Sequence, residues 1–277
     1  MGKSYIKRMI KYVLHEHKQP IIHSDVIIEE KNSIHKNKKY IITGGGSGLG
    51  FYIAKSLIDG GATVIICGRN EKKLKSAKEK LGEKCDYMVM DVADVGEAGA
   101  VLDDIFEKHK IIDGLVYNAG ISLHEKDILD VTVDNFDIQF NTNLKGAYFL
   151  SKKYIEHLKK NQQENGNIVF ISSERGSMCD DIPYGLTKVA INSLTEGLSR
   201  RFYKNGIRVN AIAPGVTCSD LTKIDRNGDL YAEKAAGRVL LPEEIAETVN
   251  FILSDYSKCI SGEVINCDAG NSLACWF

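Results

Sequence analysis

The chain has 277 residues, of which 43% are hydrophobic, and its formal net charge is −1 at pH 7. This length and apolar content suit one large α/β domain or two small ones. The balanced charge argues against nucleic-acid or membrane-surface partners. No apolar stretch approaches the roughly 20 residues that cross a bilayer, and no secretory leader is present, so we expect a cytoplasmic protein. Seven scattered cysteines without a Cys-x-x-Cys pair favour reduced thiols, and we expect no bound metal.

Residues 1–37 differ from the rest and are interpreted as an N-terminal extension to a domain spanning residues 38–277. Apolar residues at helical spacing predict an amphipathic helix over 3–16, and residues 26–28 are a candidate short strand. The extension is either an arm that docks a partner or stabilises an oligomer, or a lightly ordered segment on the domain surface. Its four histidines lack metal-ligand spacing and are interpreted as solvated; they are His15, His17, His23 and His35.

From residue 38 onward, apolar runs typical of buried parallel strands alternate with helical patterns. Leu49, Ile53 and Leu57, for example, follow one another at helical spacing. Strands separated by helices predict a single α/β domain, a doubly wound seven-stranded parallel sheet with helices on both faces. The predicted strands are 40–43, 62–67, 87–90, 114–117, 167–171, 207–213 and 263–267.

The first strand runs into a glycine-rich loop, Thr43-Gly44-Gly45-Gly46-Ser47-Gly48-Leu49-Gly50, and a helical pattern follows at once. Such a strand–loop–helix unit lets a pyrophosphate approach the backbone at a helix N-terminus. The loop matches neither Gly-x-Gly-x-x-Gly nor the P-loop. A dinucleotide site and a merely tight turn are both open, and five glycines favour the dinucleotide site of a Rossmann-type unit. The candidate cofactor contacts here are Gly44, Ser47, Gly48, Leu49 and Gly50.

The residues after the second strand bear on the choice of cofactor. NAD-binding units usually place an acidic residue there for the ribose 2′-hydroxyl, whereas this chain has Gly68-Arg69-Asn70. A guanidinium suits a 2′-phosphate. The sequence therefore predicts that NADP(H) is preferred, with NAD(H) possible because Glu71 is close and Arg69 is also consistent with a solvated side chain.

Tyr184 and Lys188 stand four residues apart, a spacing that places both on one helix face. A nearby ammonium group favours the phenolate and lowers the pKa of tyrosine from about 10, which would make Tyr184 a general acid/base. The chain has a second Tyr-x-x-x-Lys, Tyr148 to Lys152, so the spacing alone is weak. Only Tyr184 follows a serine-ending strand; Lys152 is predicted to face solvent, and Asp181 is a candidate helix cap.

These residues together resemble the short-chain dehydrogenase/reductase family in its compact form, over roughly residues 38–270. The resemblance implies hydride transfer between a nicotinamide cofactor and a small-molecule carbonyl or secondary alcohol. It also implies a homodimer or homotetramer that pairs the helices bearing Asn143 and Tyr184. The matching segments are Thr43 to Gly50, Asp91-Val92, Tyr117-Asn118-Ala119-Gly120, Thr142-Asn143-Leu144-Lys145-Gly146, the strand ending in Ser172-Ser173, residues 207–215, Arg238 with Pro242-Glu243-Glu244, and Asp268-Ala269-Gly270.

The resemblance further implies a catalytic set of Asn143, Ser173, Tyr184 and Lys188. In that set Tyr184 exchanges a proton with the substrate oxygen, and Lys188 lowers the pKa of Tyr184 and bonds the nicotinamide ribose. Ser173 donates a hydrogen bond to the carbonyl oxygen, and Asn143 holds a water molecule for proton relay. The other cofactor contacts that it implies are Asp91, Val92, Asn118, Gly120, Tyr184, Lys188, Pro214, Gly215 and Thr217.

Three departures from the family pattern concern the site. Ser173 lies 11 residues before Tyr184, where the family more often has 13, so Ser172 and Ser173 are both candidates and the motif favours Ser173. Thr187 replaces the usual serine before Lys188, and Thr217 stands where Val or Ile is common.

The substrate and the rival functions stay open at this point. Asp180 and Asp181 in the short loop, with charged residues over 218–237, are typical either of a polar substrate such as a sugar derivative or of a solvated lid. A catalytically silent dinucleotide-binding sensor or scaffold would require a broken catalytic set. A nucleotide-sugar epimerase or dehydratase usually has a longer C-terminal substrate domain.

Overall fold

The structure is a computed structural model that describes residues 33–219, 221–224 and 230–273. Its strands form one parallel sheet in the order β3-β2-β1-β4-β5-β6-β7. The predicted doubly wound sheet is confirmed, and the predicted strand ends differ from the observed ones by about two residues at most. The strands are β1 Lys39–Thr43, β2 Thr63–Gly68, β3 Cys85–Val89, β4 Gly114–Tyr117, β5 Gly166–Ile171, β6 Ile207–Pro214 and β7 Val264–Cys267.

Helices cover both faces of the sheet, because the central strands are buried on both sides, whereas the edge strands β3 and β7 are only partly buried. The helices are α1 Gly48–Asp59, α2 Glu71–Leu81, α3 Val95–His109, α4 Val133–Phe140, α5 Gly146–Lys160, α6 Pro183–Phe202 and α7 Pro242–Leu253. Apolar side chains of α3, α5 and α6 pack in one core, and those of α1, α2 and α7 pack in the other. Among the described residues, none of the helices has the length and apolarity needed to span a bilayer.

Local sequence signals explain where several helices begin. The Asn70 side chain accepts a hydrogen bond from the Lys73 amide at the start of α2, and Asp94 does the same for two amides of α3. At the start of α6 the prediction of Asp181 as the cap is wrong. Ile182 occupies the cap position, and its own amide donates to the Asp180 carboxylate at 3.2 Å. Asp181 is exposed.

The strand order reverses between β1 and β4, which are neighbours in the sheet although β2 and β3 separate them in the chain. In an open parallel sheet the connections from two such strands leave in opposite directions, and a crevice opens at their carboxyl ends. The glycine loop follows β1, and Asn118-Ala119-Gly120 follows β4. The topology therefore brings both predicted cofactor segments to one crevice.

The predicted helix over 3–16 and strand over 26–28 lie outside the described residues, as do His15, His17 and His23. The interpretation of His35 as solvated is wrong, because its side chain is buried. Its ring nitrogens lie 2.9 Å from Tyr40 Oη and 2.8 Å from Asn250 Oδ1. Buried polar groups need such partners, and here they attach the residues just before β1 to α7.

Candidate active site

The glycine loop is shaped for close backbone approach. Gly44 and Gly48 have φ angles of 69° and 53°, in the left-handed region that favours glycine. A Cβ atom at Gly45 would lie 2.6 Å from Ile66 Cγ2, and one at Gly50 would lie 2.6 Å from Asn118 Nδ2. Glycine is therefore required at these positions by conformation or by close packing within the protein.

Thr43 and Asn118 join the two strands at the reversal point. The Thr43 hydroxyl accepts hydrogen bonds from the amides of Asn118 and Ala119 at 3.1 and 3.0 Å. The Asn118 side chain donates in return to the carbonyl oxygens of Thr43 and Gly44, at 3.1 and 3.2 Å. Asn118 thus holds the glycine loop in place from the neighbouring strand.

A cavity of about 450 Å³ opens at the carboxyl ends of the central strands. It brings together most of the predicted site residues, and its size suits a small molecule. The predicted residues that line it are Gly44, Ser47, Gly48, Leu49, Asn118, Gly120, Ser173, Tyr184, Lys188, Pro214, Gly215 and Thr217.

Five predicted residues lie beside this cavity rather than in its wall. Gly50 supports the loop from the first turn of α1, and Arg69 is exposed just beyond β2. The Asp91 carboxylate accepts a hydrogen bond from the Ala93 amide at 3.0 Å, and the Val92 side chain is buried. Asn143 is buried behind the wall.

Tyr184 and the two serines are distinguished by their partners. Ser172 Oγ donates to Asn192 Oδ1 at 2.6 Å, whereas the Ser173 hydroxyl accepts from the Arg175 amide at 3.3 Å and acts on Tyr184. Burial raises the pKa of Tyr184, and the Ser173 hydroxyl and the Arg175 guanidinium oppose the rise. This direction is opposite to the lowered pKa that we expected from Lys188, because removal of the phenol from water outweighs the nearby charges.

Lys188 is buried on the same helix face as Tyr184. Its ammonium group lies 5.4 Å from the centre of the Tyr184 ring and donates to the Ile171 carbonyl at 2.8 Å. Burial lowers the pKa of Lys188 to about 8, because a low-dielectric site disfavours the charged form. The rival pair differs, since Tyr148 and Lys152 are exposed and Lys152 pairs with Glu156 at 3.6 Å.

Asn143 lies in a π-helical turn, Asn141–Lys145, between α4 and α5. Such turns interrupt α-helices and are frequent at functional sites. Asn143 Oδ1 accepts from the Ile121 amide, and its Nδ2 donates to the Ile121 carbonyl, both at 2.9 Å. A Cβ atom built on Gly120 would lie 3.5 Å from Asn143 Oδ1 and 3.6 Å from Lys188 Nζ. The two polar groups therefore flank one glycine, which suits a water molecule between them.

The sequence did not single out two charged residues in the cavity wall, Glu174 and Arg175. Glu174 is 7% exposed, and its Oε2 accepts from Asn271 Nδ2 at 2.8 Å. Arg175 binds the Asp180 carboxylate through two guanidinium nitrogens. Their position directly after Ser173, in the short loop before Tyr184, was the sequence signal that could have identified them. Residues so close to Ser173 in the chain are expected to lie near the same cavity.

A dinucleotide fits the residues of this crevice. Five of the eight residues 43–50 are glycines, and the first turn of α1, whose amides would meet a phosphate, contains no acidic residue. Gly44, Ser47, Gly48 and Leu49 would hold the phosphates, and Pro214, Gly215 and Thr217 line the same cavity.

The family model described as enoyl-(acyl carrier protein) reductase matches residues 44–272 of this chain. The chain is 34% identical over 249 residues to the 3-oxoacyl-(acyl-carrier-protein) reductase FabG of Chlamydia muridarum, covering 86% of this chain and 99% of that protein. It is 30% identical over 244 residues to a 3alpha-hydroxysteroid dehydrogenase of Mediterraneibacter gnavus, with 84% and 96% covered.

Solved structures agree with these matches. A 3-ketoacyl-(acyl-carrier-protein) reductase from Brucella melitensis, complexed with NADH, superposes with a TM-score of 0.79 at 27% identity, covering 86% of this chain and 99% of that one. A short-chain type dehydrogenase/reductase from Mycobacterium ulcerans gives a TM-score of 0.79 at 29% identity, with 86% and 90% covered. With this fold, crevice and similarity over most of its length, the chain belongs to the short-chain dehydrogenase/reductase family and is a nicotinamide-dependent oxidoreductase.

Proposed function

We propose that the chain interconverts a carbonyl group and a secondary alcohol at this cavity, with NADP(H) as the preferred cofactor and Asn143, Ser173, Tyr184 and Lys188 as its catalytic set. The observation that carries the proposal is the convergence of Ser173, Tyr184 and Lys188 in one cavity with the glycine loop. The bound cofactor supplies or accepts the hydride, and the protein provides positioning and proton transfer.

Ser173 and Tyr184 act on the substrate oxygen. The Ser173 hydroxyl donates a hydrogen bond to it and stabilises negative charge as the carbonyl is reduced. Because burial raises the pKa of Tyr184, its phenol is protonated at neutral pH and is the proton donor in reduction. In the oxidation direction the Tyr184 phenolate oxygen must accept a proton from the substrate alcohol. A raised pKa also favours this transfer, because it makes the phenolate a stronger base.

Lys188 and Asn143 connect Tyr184 to a source of protons. The pKa of Lys188 is about 8, so its ammonium group can release and regain a proton close to neutral pH. Asn143 is held on both sides of its amide by the Ile121 backbone, which fixes its orientation beside Gly120. A water molecule between Asn143 and Lys188 would relay a proton from solvent that restores the Tyr184 phenol after Tyr184 has protonated the substrate oxygen.

The proposal is tested by steady-state oxidation of NADPH with a panel of ketones, comparing wild type with Tyr184→Phe. Tyr148→Phe is the matched control, because Tyr148 belongs to the exposed Tyr-x-x-x-Lys pair. We expect Tyr184→Phe to bind NADPH normally and to lose about 10²-fold or more of kcat, while Tyr148→Phe retains it. Near-normal turnover by Tyr184→Phe would refute the catalytic assignment.

We further propose a cytoplasmic homo-oligomer. Exposed apolar side chains on α5 and α6 support self-association through the helices that flank the site, among them Tyr148, Phe149, Leu186 and Val189. Substitution of Phe149 is the most direct test of whether this surface mediates self-association.

A further inference from the structure

The wall of the cavity next to Tyr184 is charged. Three charged side chains act on the pKa of Tyr184: the Arg175 guanidinium lowers it, and the carboxylates of Glu174 and Asp180 raise it. Glu174 and Arg175 line the cavity itself, together with Ser122, Ser173 and Thr222. Hydroxyl groups and charged side chains therefore form part of the cavity wall that a substrate would contact.

Glu174 is a nearly buried carboxylate in the cavity wall, directly after Ser173 in the chain. One oxygen accepts from Asn271, and a Cβ atom built on Gly215 would lie 3.2 Å from that same oxygen. An ionised carboxylate has about four acceptor positions, so the Asn271 bond leaves capacity for further donors. An apolar chain placed here would bury Glu174 against hydrocarbon, which is strongly unfavourable.

Two of the three charges beside Tyr184 neutralise each other. Arg175 is paired with Asp180, whose side chain is only 2% exposed, by a two-point ion pair that holds the guanidinium at the cavity edge. Glu174 then leaves one negative charge in the cavity wall. A carboxylate or phosphate on the substrate would be repelled by Glu174, whereas hydroxyl groups can donate to it and accept from Arg175.

We propose that the substrate is a neutral, polyhydroxylated carbonyl compound or its alcohol, of the sugar or polyol class, with Glu174 and Arg175 as specificity-determining residues. This inference rests on the proposed oxidoreductase function. It separates this chain from its relatives, whose names state 3-oxoacyl and hydroxysteroid substrates. Recognition of substrate hydroxyl groups by hydrogen bonds discriminates strongly against substrates that lack them, because such substrates leave the buried polar groups of the site unpaired.

The test compares kcat/KM for a panel of ketoses and polyols with that for acetoacetyl-coenzyme A and a hydroxysteroid, using wild type, Glu174→Gln and the control Glu196→Gln. Glu196 is exposed on α6. We expect kcat/KM for at least one polyol or ketose to exceed the values for acetoacetyl-coenzyme A and the hydroxysteroid by about tenfold or more. Glu174→Gln should raise its KM about tenfold without changing the Kd for NADPH, and Glu196→Gln should leave both unchanged.

Two outcomes overturn the substrate inference: a higher kcat/KM for acetoacetyl-coenzyme A or for the hydroxysteroid, or an equal effect of Glu174→Gln on every substrate. If turnover is too slow to measure, ligand-observed NMR can detect polyol binding to the NADP-loaded protein. Absence of both binding and turnover would also overturn the substrate inference. Failure of the proposed oxidoreductase function would give a different result, because Tyr184→Phe would then have the same kcat/KM as wild type with every substrate.

A second inference comes from an independent observation, the contact of Tyr117 with the π-helical turn. Gly146 N–H donates to the Asn141 carbonyl five residues back, rather than to the Thr142 carbonyl that a regular α-helix would use. The Tyr117 hydroxyl donates to that Thr142 carbonyl instead. A Cβ atom at Gly146 would overlap both the Tyr117 hydroxyl and the Val92 carbonyl.

We infer that Tyr117 is a positioning residue for Asn143. Its hydroxyl replaces the helical hydrogen bond that the π-helical turn gives up, and this turn carries the Asn143 amide to Ile121 and to Thr187 Oγ1. Without the hydroxyl, the Thr142 carbonyl would be buried unpaired, and relaxation of the turn toward a regular helix would rotate Asn143 away.

Tyr117→Phe tests this role, with Tyr154→Phe as the matched control. Tyr154 is also a buried tyrosine whose hydroxyl donates to a main-chain carbonyl, that of Ile112 at 3.0 Å, remote from the site. We expect both variants to fold with similar losses of stability and to bind NADPH like wild type. Only Tyr117→Phe should lower kcat, by about tenfold or more, and shift the pH profile of kcat. Coincident kcat values and pH profiles for Tyr117→Phe and wild type would overturn the inference.

Discussion

Asn143 Nδ2 donates a hydrogen bond to Thr187 Oγ1 at 3.1 Å, which ties the π-helical turn to the helix that carries Tyr184. The Thr187 hydroxyl in turn donates to the Tyr184 carbonyl at 2.6 Å. One hydroxyl therefore connects the Asn143 amide to the backbone of Tyr184. This also explains why threonine is compatible with a position where the family usually has serine, since both supply the hydroxyl.

Thr187→Val removes that hydroxyl at nearly constant volume and should lower kcat about tenfold, because the Asn143 amide loses a buried acceptor and its orientation. Thr187→Ser retains the hydroxyl and is the matched control, with kcat expected within about twofold of wild type. Steady-state kinetics with saturating NADPH measure the effect. Equal kcat values for the two variants would remove Thr187 from the proton path.

Arg69 should determine the preference for NADP(H). It is exposed at the carboxyl end of β2, where a 2′-phosphate would meet its guanidinium. We expect a higher kcat/KM with NADPH than with NADH, and Arg69→Gln should reduce the ratio of the two about tenfold. Lys72→Gln, which removes an equal charge one turn along, is the control. Equal or better efficiency of wild type with NADH would contradict the prediction.

The apolar surface of α5 predicts self-association. Phe149 is 41% exposed there, and Phe251 on α7 is similarly exposed at 44% on the other side of the sheet. Light scattering after size exclusion should give a dimer or tetramer mass for wild type and for Phe251→Lys. Phe149→Lys should lower the mass, because a buried, unpaired ammonium is costly at an apolar interface. A monomeric wild type would disprove the oligomer.

The pKa of Lys188 predicts a specific pH dependence of stability. Its folded-state pKa of about 8 lies below the ordinary value of 10.5, so between these pH values the unfolded chain binds more protons and stability rises with pH. Lys188→Met should therefore be more stable than wild type at pH 7, by on the order of 1–3 kcal/mol, with part of the gain offset by the unpaired Ile171 carbonyl. Urea unfolding at pH 7 and pH 10 should show this gain shrinking; an unchanged gain would contradict the assignment.

His35 predicts how folding stability depends on pH below neutrality. Asn250 Nδ2 donates to Ser56 Oγ at 2.7 Å, so Asn250 Oδ1 is directed toward His35. The hydrogen-bond network therefore assigns His35 Nε2 as a donor and His35 Nδ1 as an acceptor. Burial lowers the pKa of His35, so the unfolded chain binds more protons below about pH 6.5, and stability falls as the pH drops through that range.

His35→Gln should reduce this acid sensitivity by about 1 kcal/mol between pH 7 and pH 5, at some cost in stability at pH 7. His124→Gln is the control, because His124 is an exposed histidine outside this network. Thermal unfolding as a function of pH measures both. Parallel pH curves for wild type and His35→Gln would exclude this role of His35.

The linear sequence was sufficient for features that depend on local pattern. Apolar runs separated by helical spacing determine the parallel sheet, because strands buried on both faces must be apolar throughout. The crowded glycines at 44–50 indicate a backbone that must be approached closely. Tyr184 could be preferred over Tyr148 because a strand ending in serines precedes it.

Tertiary structure decided what depends on distant neighbours. Only the fold shows that Ser172 is held by Asn192 while Ser173 faces Tyr184. Burial reverses the expected direction of the Tyr184 pKa, and burial is a property of the packed chain rather than of residue spacing. The same holds for His35, which looked solvated in the sequence, and for Glu174 and Arg175, whose charges become meaningful only once they line the cavity beside the reacting centre. Sequence pattern therefore determined the fold and the reaction class, and long-range packing decided the electrostatics that set the proton chemistry.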